Sequence, residues 1–335
     1  MLNVLKGGVN EEKLEKVSSL SFKSCGRNIH NKCGKLLDFI SGISPETYSL
    51  LDLSNYAKFV SAHIMATRGC PYGCNFCSLK NMWNRTYRMR AVNDVVQEMR
   101  FLKEAGFKRI HLKDETITAD PLYARELFSE IVKEDLCMGI KIKSRIDGIS
   151  DNSLLVLMKK AGVDCIHFGV ETVSNDLLVR IEKGFSLDDK MIQSVLFNVL
   201  DFGLKINPVF MIGIPLQKEE DLDLTVSFVK KLGSAPEVVS YFSFWSPHPV
   251  DGLFSVDEDM NLLVSDLNRF THKQPVIVPR SLDNPRGRKK MLDVFDAISG
   301  ATNNRNVNPK IDREHENLFL QHPGIISRNA PIINL

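Results

Sequence analysis

The chain lacks any unbroken apolar run near the roughly 18 residues that a membrane span requires. Its best candidate, residues 206–216, is interrupted by Asn207 and two prolines, so no membrane partner is expected. The amino terminus lacks the apolar segment and cleavage site of a secretory signal. It carries Lys6, Glu11, Glu12, Lys13, Glu15 and Lys16 instead, which makes the cytoplasm the expected location. Charge of one sign is missing too: 43 basic against 41 acidic side chains leave +2 over 335 residues. No global field gathers nucleic acid, and polyanions could be met through local patches alone. Paired cysteines are absent as well. The seven cysteines (25, 33, 70, 74, 77, 137 and 165) are odd in number in a chain with no export signal, so a disulfide framework is not expected. No strict repeat period points to a solenoid.

What is present is an ordinary globular composition, 43% hydrophobic and 25% charged. Between residues 62 and 249, short β-prone runs alternate with helical patterns, the signature of a parallel sheet flanked by helices. The pattern predicts strands near 62–67, 108–113, 139–145, 164–170, 204–213 and 238–246. Val92, Val95, Val96, Met99 and Leu102 follow helical spacing, with Asn93 as the expected N-cap and Gly106 as the stop. Gly162, Gly203 and Gly233 close three further helical patterns in the same way. About six βα units result, and such units curl into an open or closed barrel whose functional loops leave the carboxyl ends of the strands. Residues 1–58 and 250–335 read as appendages on a core spanning 59–249.

The first strand runs into Arg68-Gly69-Cys70-Pro71-Tyr72-Gly73-Cys74-Asn75-Phe76-Cys77-Ser78. Three thiols on one Gly/Pro-bent loop can converge on one point. A structural zinc would want a fourth protein ligand, and no second cysteine pair stands at suitable spacing. Three thiolates suit a 4Fe-4S cluster better, since they leave one of its four corners open. Zinc completed by a distant His or Cys, or a set of unrelated buried cysteines, is the alternative.

At this point the sequence resembles the radical SAM superfamily, whose cluster motif has this spacing with an aromatic residue, here Phe76, before the last cysteine. The resemblance covers roughly residues 44–280. It implies a partial (βα)6 barrel in which Cys70, Cys74 and Cys77 hold the cluster. The open iron would bind S-adenosylmethionine, and one electron would cleave it to methionine and a 5'-deoxyadenosyl radical that takes hydrogen from a substrate. It also implies an electron-donor protein of flavodoxin or ferredoxin type.

Further residues fit the resemblance, each against a plainer reading. Asp114 and Glu115, at the exit of the second strand, stand where the family binds the cofactor's amino group; a solvated loop or helix cap is the alternative. Alternation puts Lys141, Lys143 and Arg145 on one face, where they require anionic company if the face is interior. Arg145 is the candidate for the cofactor carboxylate. Glu171, in Gly169-Val170-Glu171-Thr172, resembles the strand ending in Gly-x-Glu-Ser and would accept from the ribose or the amino group. Met211 precedes Gly213-Ile214-Pro215, similar to the motif that lies against adenine, although Leu216 and Gln217 depart from the commoner Gly-x-Pro-Gly-Glu. Tyr241, Trp245 and His248 are substrate-side candidates, or plain core. Arg85, Tyr87, Arg88 and Arg90 read first as a solvated basic turn, otherwise as a contact for an anionic substrate or the reductant. Cys25, Cys33, Cys137 and Cys165 read as free thiols. No catalytic side chain is assigned.

Residues 44–56 are similar to the linker that joins a cobalamin-binding domain to the barrel in one branch of the superfamily. Such a doubly wound domain needs well over 58 residues. Cobalamin is therefore possible but not supported by a domain in this chain, and in a methyltransferase it would come from another chain or the barrel face. The leading expectation is a radical SAM enzyme with an unidentified substrate. Its rivals are a non-catalytic iron-sulfur binding or electron-transfer protein and a zinc-stabilised interaction module.

Overall fold

The computed structural model describes residues 10–35, 45–48, 50–57, 61–149, 151–185, 187–233, 237–245, 260–262 and 277–301. Two compact units divide the chain, Met1–Ile40 and Ser41–Leu335. In the first, Asn10 caps the helix Glu11–Glu15 by accepting from Lys13 N at 2.9 Å. An antiparallel hairpin pairs Ser21–Ser24 with Arg27–His30, and Asn31 donates to the carbonyls of Leu14 and Val17, both at 2.7 Å.

The second unit holds a curled parallel sheet of six strands: β1 (Ser61–Ile64), β2 (Arg109–Leu112), β3 (Gly139–Arg145), β4 (Val163–Glu171), β5 (Lys205–Ile212) and β6 (Tyr241–Phe244). They lie side by side in chain order, each parallel to its neighbour. The crossovers are α1 (Val92–Glu104), α2 (Pro121–Lys133), α3 (Asn152–Lys160), α4 (Asn175–Arg180) with α5 (Asp189–Asp201), and α6 (Glu219–Leu232). Sequential parallel strands joined by helices give the half-barrel that the βα alternation predicts.

Local chemistry sets the helix ends. Asp120, Asp151 and Asp188 each accept a backbone N–H in the first turn of α2, α3 and α5, and Pro121 sits where its missing N–H costs nothing. The predicted Asn93 cap is corrected. Val92 is buried, so α1 begins there, Ala91 takes the cap position without a side-chain bond, and Asn93 lies inside the helix. Gly106, Gly162, Gly203 and Gly233 all follow helices with positive φ. At Gly162 a Cβ would stand 2.2 Å from the Met138 carbonyl, so no side chain fits there.

One face of the sheet is apolar and covered by helices. Ile110, Leu112, Ile140, Ile142, Ile166, Phe168, Val170, Ile206 and Phe210 are buried there. They form one core with Val95, Met99, Leu127, Phe128, Leu155, Met158, Leu196 and Phe228 of the helices. Each such side chain contributes about 1.5–3 kcal/mol on burial. Since side chains alternate along a strand, the intervening residues share the inner face: His63, His111, Lys113, Lys141, Lys143, Arg145, His167, Asn207, Met211 and Tyr241.

Two strand expectations change. The run 62–67 splits after Ile64, and Thr67–Gly69 turns away to pair antiparallel with Tyr87–Met89. The last strand narrows to Tyr241–Phe244, with an isolated bridge at Val238; Ser246 and His248 lie outside the described residues. Within the segment 44–56, Tyr48 stacks on Phe101 at 5.4 Å and donates to Glu98 Oε1 at 2.6 Å. Past residue 250, Met260–Leu262 pairs with Ile277–Pro279. The helix α7 (Pro285–Ala301) follows and is joined to α6 by Lys290–Asp223 at 2.5 Å and Arg286–Glu219 at 3.0 Å. No helix among the described residues is long and apolar enough to cross a membrane.

Candidate functional site

The cysteine loop begins where the chain leaves the sheet, and Asp114 makes it leave. This fully buried carboxylate accepts from Thr67 N at 2.5 Å, Thr67 Oγ1 at 2.6 Å and Ala66 N at 3.4 Å. Burial pushes its acid up, against those hydrogen bonds. Gly69, at φ +93, then lets the turn pass so close to Thr86 that a Cβ would lie 2.1 Å from its carbonyl oxygen.

Cys74 is buried, while Cys70 and Cys77 are half-buried. The Cys77 N–H donates to the Cys74 carbonyl at 3.1 Å, and Asn75 ties the loop to the end of α4. Its N–H donates to Ile181 O at 3.1 Å and its side-chain amide to Arg180 O at 2.8 Å. Burial pushes the Cys70 and Cys77 thiols up, a cost that a bound metal would repay by taking the thiolates.

Arg145, at the end of β3, backs this loop. Its Nη1 stands 3.7 Å from Cys74 Sγ, while Nε and Nη2 donate to the two oxygens of Asp147 at 2.8 and 2.9 Å. Nη2 also donates to Lys183 O at 2.5 Å. The guanidinium lies 3.7 Å over the Tyr72 ring and 5.0 Å from that of Phe185. Burial opposes its charge, but the Asp147 carboxylate outweighs burial and holds the pKa above its usual value.

Glu171 ends β4 at a register shift, with φ +67. It accepts from Lys183 Nζ at 2.8 Å, an ion pair whose side chains are 11% and 5% exposed. The same ammonium stands 5.7 Å from the Phe76 ring centroid. Lys183 thus brings Phe76 and Glu171 together. Nothing in the sequence singled out Lys183, Tyr72 or Phe185, because their relation to the loop exists only after β4 and α4 have been laid down.

The acidic pair is separated by the fold. Asp114 accepts from the Ala66 and Thr67 N–H groups and the Thr67 hydroxyl, whereas Glu115 is half-buried with Oε2 enclosed and without a partner. Burial raises its acid, partly countered by Lys143. A ligand ammonium is the kind of donor that oxygen lacks. Met211 is 8% exposed on the inner face of β5, in register with Ser243. Where the adenine-side motif departs from the common form, Leu216 adopts φ +64, the region glycine favours. Gln217 accepts from Gly213 N at 2.7 Å.

The basic turn after the loop is corrected at Arg90. It is 6% exposed, paired with Glu98 at 2.6 Å and donating to Met65 O at 2.8 Å. It is a buried brace and not a solvated charge, since a guanidinium enters the core only with its partners. Tyr87 donates toward the Thr116 and Ile117 carbonyls, each 3.3 Å away. All seven cysteines are free.

The residues fit an iron-sulfur cluster. Three thiols share one loop, Arg145 stands beside Cys74 and Lys183 near Phe76, and Glu115, just past β2, keeps an unpartnered carboxylate oxygen. Among the described residues no group of three or more His, Cys, Asp or Glu side chains, the loop cysteines included, is drawn together around a single ion.

Residues 64–229 match the family model of the radical SAM superfamily. An uncharacterized methyltransferase of Pyrococcus horikoshii is 27% identical over 79% of this chain and 57% of its own length. The anaerobic magnesium-protoporphyrin IX monomethyl ester cyclase of Rubrivivax gelatinosus is 28% identical over 68% of this chain and 39% of its own. The chain therefore spans only part of the curated relatives it matches. Among solved structures, the cobalamin-dependent S-adenosylmethionine radical enzyme OxsB superposes with a TM-score of 0.54 at 19% identity, covering 68% of this chain and 34% of that one. The radical S-adenosylmethionine methyltransferase TsrM of Kitasatospora setae, with cobalamin and a 4Fe-4S cluster bound, gives 0.50 at 20% identity, covering 55% and 36%. These likenesses show the fold. Through residues 64–229, the half-barrel with its cysteine loop, the chain belongs to the radical SAM superfamily.

Proposed function

We propose that residues 59–249 are the catalytic barrel of a radical SAM enzyme, with 1–58 and 250–335 as its appendages. The observation that carries this is the three-thiol loop leaving the carboxyl end of β1, with the Arg145 guanidinium beside Cys74. When bound, a reduced 4Fe-4S cluster and S-adenosylmethionine supply a 5'-deoxyadenosyl radical that abstracts hydrogen from substrate. Cys70, Cys74 and Cys77 would hold three iron corners. Arg145 orients the loop through Cys74 and the Tyr72 ring, and Lys183 fixes the Glu171 carboxylate in place. Glu115 would accept from the cofactor's ammonium, Glu171 from its ribose or amino group, and Met211 would pack against adenine.

Methyl transfer or ring formation is the net reaction favoured by the relatives, several of which bear the names of methyltransferases or cyclases. In the methyltransferase reading, cobalamin, held by both structural neighbours, is supplied from outside the described residues. The electron donor is a flavodoxin or ferredoxin.

The test is anaerobic reconstitution followed by iron and sulfide analysis, electron paramagnetic resonance with and without S-adenosylmethionine, and chromatography for 5'-deoxyadenosine after dithionite. The reading expects about four irons per chain, a spectrum altered by S-adenosylmethionine, and product. A cluster that forms but is indifferent to S-adenosylmethionine would leave the electron-transfer alternative standing, and stoichiometric zinc in colourless protein would leave the interaction module.

A further inference from the structure

The inner face of the sheet carries a belt of nitrogen that the cysteine mouth does not use. His63 meets His111 edge-on at 5.2 Å, His111 stacks with His167 at 6.2 Å, and His167 tilts against Tyr241 at 5.3 Å. Strand register sets Lys141 beside His111, and Lys143 beside His167. Lys113 lies one inward step beyond His111, just past the end of β2 where its N–H donates to Ile64 O at 2.8 Å, so three ammonium groups share this face.

No carboxylate pairs with these three lysines among the described residues, although the lysines at the mouth and on the outer surface find acidic partners. Lys141 has a neutral one: Asn207, with its amide oriented to satisfy both ends, accepts from Lys141 Nζ at 3.0 Å and His167 Nε2 at 3.3 Å. His111 Nε2 is buried without any partner. Burial, reinforced by the neighbouring lysines, pushes His111 and His167 down to about 3, so both rings are neutral near pH 7. Three half-buried cations on a shared face, none in ion-pair contact although Lys143 acts on Glu115 and Asp164 on Lys141, leave positive charge in excess beside a ring nitrogen with no partner, which describes a site with a place for an anion.

We infer that this belt binds the oxyanion end of the substrate, a carboxylate or phosphate held by Lys113, Lys141 and Lys143. The ring ladder then lies along the substrate body, and the far end of the molecule is offered to the cysteine mouth. Calling the bound molecule a substrate rests on the radical SAM reading; the anion site itself does not.

The experiment therefore uses the native chain without iron or S-adenosylmethionine. Histidine-labelled protein is titrated with inorganic pyrophosphate and, separately, with benzene-1,3-dicarboxylate, and the ring nitrogen signals are followed by NMR. Saturable shifts at His111 and His167, with exposed His30 unmoved, are expected with at least one probe, and the tighter probe identifies the oxyanion as phosphate or carboxylate. Lys141→Gln and Lys143→Gln should each raise the dissociation constant about tenfold, the loss of one charge-assisted bond. Silence with both probes, reproduction of the shifts by sodium chloride at matched ionic strength, or unchanged affinity in both folded variants would overturn the proposal. Pyrophosphate binding in a protein that makes no 5'-deoxyadenosine would keep the anion site and remove the radical reading; the reverse result would do the opposite.

Discussion

The two faces of the sheet are built from the same strands and solve opposite problems. On the helix side, Ile140, Ile142, Ile166 and Phe168 are buried against apolar helices and need nothing further. On the inner side, Lys141, Lys143 and His111 bring charge and an unpaired ring nitrogen into a half-enclosed space. The first arrangement stabilises the fold, while the second costs stability. A chain that keeps the costly face keeps it for what that face can bind.

Substitutions at the mouth should break the comparison most sharply. Cys74→Ala should lower bound iron and 5'-deoxyadenosine formation by more than about 100-fold, while the urea midpoint of the unloaded protein shifts little; a normal iron content would remove Cys74 from the ligand set. The helix side should behave in the opposite way. Phe168→Ala removes a wholly buried ring and should cost about 3–5 kcal/mol in urea unfolding. A cost below about 1 kcal/mol would contradict the core described here.

Between these extremes stands the Lys183–Glu171 pair. Lys183→Met leaves a carboxylate enclosed and should destabilise by about 3 kcal/mol. Adding Glu171→Leu should recover most of that loss, and a double variant as unstable as the single one would show that the pair is not coupled. The inner histidines sharpen the comparison through pH. Their folded pKa of about 3 lies below the 6.5 of the unfolded chain, so the unfolded state takes up their protons first as pH falls. Stability should therefore decline from pH 6.5 toward 3, read as the urea midpoint at successive pH values. His111→Asn with His167→Asn should flatten that slope, and an unchanged slope would mean that the two rings are not held neutral.

Most of the fold could be read before any coordinates because it rests on local patterns. The helix Val92–Glu104 announces itself by buried valines at helical spacing, and each predicted helix stop falls on a glycine with positive φ. The strand Gly139–Arg145 falls where alternating Ile and Lys place it. Non-local chemistry was not legible. The split after Ile64 depends on Asp114, 47 residues beyond Thr67. The burial of Arg90 depends on Glu98 and on the Met65 carbonyl, and its sequence neighbourhood shows only cations. At the site, cysteine spacing is local and could be read; the Lys183 wedge, the Tyr72 and Phe185 rings around Arg145, and the histidine ladder are assembled across strands and could not.

The two bonds from Asn75 to the turn after α4 reach across 105 residues of chain. During synthesis the thiol loop emerges first, Asp114 and Arg145 follow, and the Arg180 and Ile181 carbonyls that hold Asn75 leave the ribosome later still. Iron delivery to a correctly shaped loop must therefore wait for two-thirds of the barrel to exist, and a truncated product cannot present the same cradle to the assembly machinery. One asparagine, through its backbone N–H and its side-chain amide, makes the order of maturation follow the order of folding.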